Sequence, residues 1–222
     1  MAVTPLNHPC LPRDALCELL KEAVQSPLVT VVAGTGYGKT QTVYSFLQGY
    51  DATSVWVQLS SLDNIGETFW GKFAKAASIH NRGLAARLAA IGFPTSERQF
   101  EQLWAILREG MPAGRRLIIV FDDFQLIYDP LVLQFVERLA GFDVLPTSVI
   151  IISREEPRIN IVGLLAKGII SQISETDLRF RREEMSQYFE TLGIQLTPQA
   201  LAALYDETDG WAFAIYLLGL SL

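Results

Sequence analysis

The sequence predicts an α/β fold: a parallel sheet flanked by helices, followed by a C-terminal helical subdomain. Three observations carry this. Short, almost wholly apolar runs such as Leu117–Phe121 alternate with amphipathic segments. Those runs lack the polar-apolar alternation of a half-solvated strand, so they suit strands covered on both faces. After Asp177 the apolar runs of strand type stop and only helical periodicity remains.

The elements follow in order. Residues 1–12 carry three prolines and read as an extended arm. Asp14 can cap a helix through about Val24, with Leu16, Leu19, Leu20 and Ala23 on one face, until Ser26-Pro27 breaks it. Leu28–Val32 is a short buried strand, and a helix starts near Lys39 and ends at Gly49. Ser54–Leu59 is the next strand. Helices follow over Thr68–Ala77, Leu84–Ile91 and Glu97–Glu109. Leu117–Phe121 is a strand ending on Asp122-Asp123, and Pro130–Leu139 is a helix. Val149–Ile152 is a strand ending at Ser153-Arg154, Ile159–Lys167 a helix and Ile169–Ile173 the last strand. The order is β, α, β, α, α, α, β, α, β, α, β, which argues for a parallel sheet with helices on both faces. Residues 1–177 are expected to form this domain and 178–222 the helical lid, with helices over Glu183–Leu192, Pro198–Asp206 and Trp211–Leu222. The last of these is apolar nearly all round. Such a helix belongs against other protein, so the chain is expected to be the N-terminal part of a longer one. Trp56, Trp70, Trp104 and Trp211 are expected in the core.

Composition narrows the function classes. Half of the 222 residues are apolar, which permits a large core. The net charge is −6 and the basic clusters, Arg115-Arg116 and Arg179-Arg181-Arg182, are short. That balance disfavours nucleic-acid binding by this chain itself. Cys10 and Cys17 read as reduced thiols of a cytoplasmic protein, with a Cys10–Cys17 bridge as the alternative. His8 and His80 are far apart and form no metal pattern. The N-terminus lacks the basic start and apolar stretch of a signal peptide, and no apolar run reaches membrane-spanning length.

The stretch Val31–Thr42, VVAGTGYGKTQT, carries the chemistry. It fits the relaxed phosphate-binding pattern Gly/Ala, four residues, Gly-Lys-Ser/Thr, with Ala33 first and Gly38-Lys39-Thr40 last. Gly34, Gly36 and Gly38 let the backbone turn so that N–H groups of Gly34, Thr35, Gly36, Tyr37, Gly38 and Gln41 point at an anion. The following helix adds the positive end of its dipole. Lys39 supplies a charge for the outer phosphates and the Thr40 hydroxyl a ligand for Mg²⁺. The competing reading is a Gly-rich turn without ligand; the flanking strand and amphipathic helix argue against it. This loop makes the predicted fold a P-loop NTPase.

Such a loop needs an acid at the tip of a neighbouring strand. RRLIIVFDDF provides Asp122 for Mg²⁺ and Asp123 to polarise an attacking water; the alternative is a solvated acid pair ending a strand. Ligands in open α/β sheets sit beyond the carboxyl ends of strands. Arg154 therefore reads as a sensor of the γ-phosphate, against the alternative of a surface arginine paired with Glu155 or Glu156.

The ordered set VVAGTGYGKTQTVYSFL, VWVQLSSLDNIGETFWGKF, RRLIIVFDDFQLI, SVIIISREEP, DLRFRREEM and TDGWAFAIYLLGLSL spans essentially the whole chain. It resembles the N-terminal NTPase domain of large ATP-binding, maltose-activator-like LuxR-type transcriptional regulators of the STAND class. The resemblance implies an ATP/ADP switch with weak ATPase activity and self-association in the ATP state. DNA would be bound only through domains absent from this chain. It also implies that Arg13 lies near the nucleotide base. Ala212 stands where many STAND proteins have the proline of Gly-x-Pro, and Gln41 where a second threonine is frequent. The rival reading is a stand-alone P-loop NTPase, a small kinase or loader, with Arg179, Arg181 and Arg182 as lid residues. A third is an interaction module with a degenerate site, which Lys39, Thr40 and Asp122 argue against.

Overall fold

The computed structural model describes residues 13–79, 81–110, 112, 114–141 and 146–221. The expectations for the N-terminal arm, His8, Cys10 with its alternative bridge to Cys17, His80 and Leu222 lie outside those residues.

Five parallel strands form one sheet: β1 (Leu28–Val32), β2 (Ala52–Gln58), β3 (Arg116–Asp122), β4 (Thr147–Ser153) and β5 (Ile170–Ile173). Their spatial order is β2-β3-β4-β1-β5. Pairings such as Val29↔Ile150 and Val120↔Ile150 set β4 between β1 and β3. The strand preceding the Gly-rich loop and the strand ending in the acid pair are therefore separated only by the strand that ends at Arg154.

Period-two side-chain geometry assigns the strand residues to opposite faces. Leu117, Ile119, Phe121, Val149 and Ile151 join one core, with α3 (Gly66–Ala77), α4 (Arg82–Ile91), α5 (Glu97–Gly110) and α6 (Pro130–Ala140) over it. Val29, Val31, Ile118, Val120, Ile150 and Ile152 join the other, covered by α1 (Asp14–Ala23) and α2 (Lys39–Gly49). The element order matches the predicted one. β3 and β4 run one or two residues further than their apolar runs and β2 starts two residues earlier, the buried Thr53, Thr147 and Ser148 continuing the backbone ladder; β1 is as expected, β2 ends one residue earlier and β5 starts one residue later.

Short helical pieces escape the periodicity reading, among them a 3-10 turn at Ser61–Asn64 and α8 (Glu175–Leu178), which follows α7 (Ile161–Ala166) and β5. Both open with a capping box, Ser60 with Asp63 and Ser174 with Asp177. That spacing is visible in sequence, but a single turn has no period to detect. Beyond α8, helices α9 (Arg182–Thr191), α10 (Pro198–Thr208) and α11 (Ala212–Ser221) pack on a separate core of Met185, Tyr188, Phe189 and Ile215. On α11, Phe213, Leu217 and Leu220 remain exposed.

Phe135 of α6 is the hub of the larger core. Its ring lies 5.5 Å from Phe69, 5.9 Å from Trp70, 5.9 Å from Phe73 and 5.7 Å from Phe100, centroid to centroid. Phe135→Ala leaves a cavity that four rings cannot collapse into. Urea denaturation followed by circular dichroism is expected to show a loss of about 3–5 kcal/mol.

Candidate nucleotide-binding site

The Gly-rich loop joins β1 to α2 and turns through left-handed backbone at Gly36 (φ 83°) and Gly38 (φ 74°). Gly36 is also sterically required: a Cβ there would sit 2.7 Å from Cβ of Phe213 and 2.8 Å from Nε1 of Trp211. The loop's carbonyls have partners. Lys39 Nζ donates to the oxygens of Ala33 (2.8 Å) and Gly34 (2.7 Å). Trp211 Nε1 donates to Thr35 O (3.1 Å), and the Phe213 N–H to Gly36 O (3.0 Å). The N–H groups of residues 35–41 find no acceptor among the described residues, and that of Gly34 reaches Glu175 Oε2 only at 3.4 Å. A row of free donors at the start of a helix is what an anion nest requires.

The acid pair lies beside it. Thr40 Oγ1 donates to Asp122 Oδ1 at 3.2 Å, so the two residues expected to share a cation already touch. Asp122 is 3% exposed. Asp123 adopts left-handed backbone (φ 59°), which an Asp tolerates better than most residues. That conformation sends its N–H to Asp122 Oδ1 (2.9 Å). Its carboxylate accepts from Gln58 Nε2 (2.7 Å) and Gln125 Nε2 (2.8 Å). Arg154 donates its N–H to Gln125 Oε1 (3.1 Å), and its guanidinium stands 3.8 Å from Asp123. It is thus oriented towards the acid pair and not towards Glu155 or Glu156. The tips of β1, β3 and β4 gather Lys39, Thr40, Asp122, Asp123 and Arg154 into one constellation. Gln58 and Gln125, which hold Asp123, have no sequence signature of their own.

Other expected residues lie at the edges. Gln41 turns its amide along α2 to Ser45 Oγ (3.3 Å). Arg13 donates to the carbonyls of Leu178 (2.8 Å) and Arg179 (2.6 Å) and to both oxygens of Glu184, with its guanidinium over the Phe180 ring. A cleft of ≈ 300 Å³ lined by Arg13, Leu16, Leu19, Phe180, Tyr205 and Asp209 opens there. Trp211 is not a core residue as expected: it is half-buried, with its indole on the phosphate loop. Its position follows from Gly210 (φ 72°), where any Cβ would lie 2.5 Å from the Phe180 carbonyl.

Glu175 was not legible as a site residue. It follows β5, and its carboxylate accepts from the Gly34 N–H, the Tyr37 hydroxyl and Arg179 Nη2. Arg179 continues the chain of contacts to Asp209.

The electrostatics match the crowding. Burial, then the neighbouring Asp123, pushes Asp122 up to about 6, against donation from Thr40 and the Asp123 N–H. Burial, then the Arg154 charge, pushes Lys39 down, opposed by Asp122 and Asp123. The Tyr37 hydroxyl, ahead of the Gly34 N–H and Arg179, pulls Glu175 down. Two hard oxygen donors, Thr40 Oγ1 and Asp122 Oδ1, suit Mg²⁺, which takes few protein ligands and completes its shell with phosphate and water. Among the described residues no cluster of three or more His, Cys, Asp and Glu could hold a metal by itself.

The raised Asp122 value gives a signed prediction. The folded chain holds this proton more tightly than the unfolded one, whose Asp ionises near 3.8. The stability from this group is thus fully present below pH 4 and lost as pH rises through about 6. Asp122→Asn removes the penalty while keeping an acceptor for Thr40. Without nucleotide or metal it is expected to be more stable than the parent by about 1–2 kcal/mol at pH 8, the gain vanishing near pH 4. Thermal melts across that range check this.

No protein-family model matches the chain. It is 26% identical over 211 residues to the HTH-type transcriptional regulator MalT of Cronobacter sakazakii, covering 94% of this chain and 23% of that protein. It is 25% identical over 214 residues to MalT of Klebsiella pneumoniae, again over 94% of this chain and 23% of the relative. The chain therefore spans about a quarter of the length of these relatives. In structure it is similar to a STAND protein with a tetratricopeptide repeat sensor from Pyrococcus horikoshii, with TM-score 0.66, 15% identity, and 97% of this chain and 30% of that one covered. A Walker-type ATPase of Pyrococcus abyssi gives 0.63 and 14%, over 98% of this chain and 69% of that one. The chain is thus a homologue of the MalT regulators over nearly its whole length, with the P-loop NTPase fold seen in Walker-type and STAND ATPases.

Proposed function

We propose that this chain is the ATP/ADP-binding switch domain, with weak ATPase activity, of a signal-responsive cytoplasmic bacterial transcriptional regulator. The observation that carries the reading is the convergence of Lys39, Thr40, Asp122, Asp123 and Arg154 beside a loop with free N–H donors. Homology to MalT supports the regulatory setting.

In this reading the N–H groups of residues 34–41 and the Lys39 ammonium hold the phosphates. Lys39 would exchange its bonds to the Ala33 and Gly34 carbonyls for bonds to phosphate oxygens. Thr40 and Asp122 hold Mg²⁺, whose contribution is to neutralise charge on the outer phosphates. Asp123, fixed by Gln58 and Gln125, accepts the proton of the attacking water. Arg154, reaching in from the tip of β4, stabilises the charge that develops on the γ-phosphate. The base end of the nucleotide lies towards the cleft beside Arg13.

The lid arginines favour the switch over a kinase. Arg179 pairs with Glu175 and Asp209, and Arg182 pairs with Asp206 at 3.0 Å and lies over Tyr205. The charges of Arg179 and Arg182 are thus met by carboxylates of this chain. We assign residues 1–177 to the nucleotide domain and 178–222 to the lid. The uncovered apolar side of α11, with Phe213, Leu217 and Leu220, supports self-association in the ATP state. The net charge of −6 supports placing DNA contact in sequence other than these residues.

Lys39→Ala is expected to weaken ADP binding by about 10- to 100-fold in calorimetry, the value of a charge-assisted hydrogen bond, while circular dichroism stays that of the parent. Equal affinity would remove Lys39 from the phosphate site. Asp123→Asn is expected to keep ATP affinity and slow hydrolysis by roughly 10²- to 10⁴-fold in a single-turnover assay. Unchanged turnover would mean that another group takes the proton.

A further inference from the structure

Two contacts from the helical part end on the phosphate loop, and both are made to carbonyl oxygens. Trp211 Nε1 reaches Thr35 O at 3.1 Å, and the Phe213 N–H reaches Gly36 O at 3.0 Å. In a planar trans peptide the C=O and the N–H of the next residue point in opposite directions. Turning the Thr35 and Gly36 carbonyls towards α11 therefore turns the N–H groups of Gly36 and Tyr37 away from it. Those N–H groups have no acceptor among the described residues. The left-handed Gly36, with no room for a Cβ against Trp211 and Phe213, fits this close approach.

The contact is braced from the far side. Trp211 follows Asp209 and Gly210, both at positive φ (47° and 72°). Asp209 is paired with Arg179, which is paired with Glu175, which accepts from Gly34 and Tyr37 of the same loop. The Phe180 N–H donates to Gly210 O at 2.8 Å. The ring of contacts leaves the phosphate loop at Gly34 and Tyr37 and returns to it at Thr35 and Gly36.

From this geometry we propose that Trp211, together with the Phe213 N–H, is a positioning element of the nucleotide site: it holds two loop carbonyls outward so that the Gly36 and Tyr37 N–H groups are presented to phosphate. The proposal rests on the nucleotide-site reading above. It places the start of α11 within the binding apparatus, acting through the loop backbone without touching the ligand. Because coupling is reciprocal, bound phosphate must in turn tighten the grip on Trp211 and Phe213.

Two measurements on the 222-residue chain test it, with ADP and magnesium as the probe. Trp211→Phe keeps an aromatic ring near Tyr37 and Phe213 and removes the N–H donor together with part of the indole. Calorimetry should show ADP affinity reduced about three- to tenfold, as for one neutral hydrogen bond, with the circular dichroism of the ADP-free variant that of the parent. In the parent, ADP should slow amide exchange at Phe213 at least about threefold, by the same linkage, and should not do so in Lys39→Ala. If the parent binds no ADP, the nucleotide reading falls and this proposal with it. If the parent binds and Trp211→Phe matches it, the proposal alone is overturned. A fall in affinity accompanied by a lower melting midpoint, with Phe213 exchange indifferent to ADP, also overturns it, since that pattern marks a merely structural tryptophan.

Discussion

The backbone between Ala33 and Lys39 must face two ways, and the rest of the structure follows from that requirement. N–H groups that are to receive an anion have to stay free of protein acceptors, yet the carbonyls of the same peptides need donors of their own. Lys39 serves Ala33 and Gly34, and the start of α11 serves Thr35 and Gly36. A Gly-rich turn with no function would let its amides and carbonyls pair locally. Here the donors come from a lysine on the following helix and from residues more than 170 positions further along the chain. The sheet order completes the arrangement, since placing β4 between β1 and β3 brings Arg154 and the acid pair to the same edge as the loop.

The charges at that edge are balanced but uncomfortable. Lys39 and Arg154 face Asp122 and Asp123, so formal charge nearly cancels. Still, burial pushes Lys39 down and Asp122 up, each towards its neutral form. A polyphosphate with a divalent cation supplies both missing counter-charges: anionic oxygens for Lys39 and Arg154, and a cation for Asp122. Asp123 stands apart. It is held by neutral amides from Gln58 and Gln125.

Much of this was legible in sequence, for specific reasons. Leu117–Phe121 and Val149–Ile152 are buried on both faces, so their apolar runs mark strands unambiguously. Their polar ends mark the sheet edge where ligands sit. The phosphate loop is legible because its chemistry depends on local spacing. The rest depends on distant contacts. Gln58 and Gln125 are ordinary polar residues until β2 and β3 pair and set them around Asp123. Glu175 lies on a single helical turn, and only its capping box with Ser174 and Asp177 hints that a turn exists. Trp211 misled because an aromatic residue in an apolar segment ordinarily belongs to the core. What sets it on the loop is the positive φ of Asp209 and Gly210 before it, and only the glycine half of that is suggested by residue type.

Among the contacts that hold the helical part to the α/β part, those of Arg13 and those of α11 differ in kind. Arg13 of the residue preceding α1 grips the Leu178 and Arg179 carbonyls, Glu184 and the face of Phe180. None of those partners belongs to the phosphate loop, so this attachment is insensitive to the loop's conformation. The Trp211 and Phe213 contacts are made to the loop itself and change whenever its peptides rotate. The Arg13 contact is a charged group with several hydrogen bonds, whereas the contacts of α11 with the loop are neutral ones, from the Trp211 indole and the Phe213 N–H.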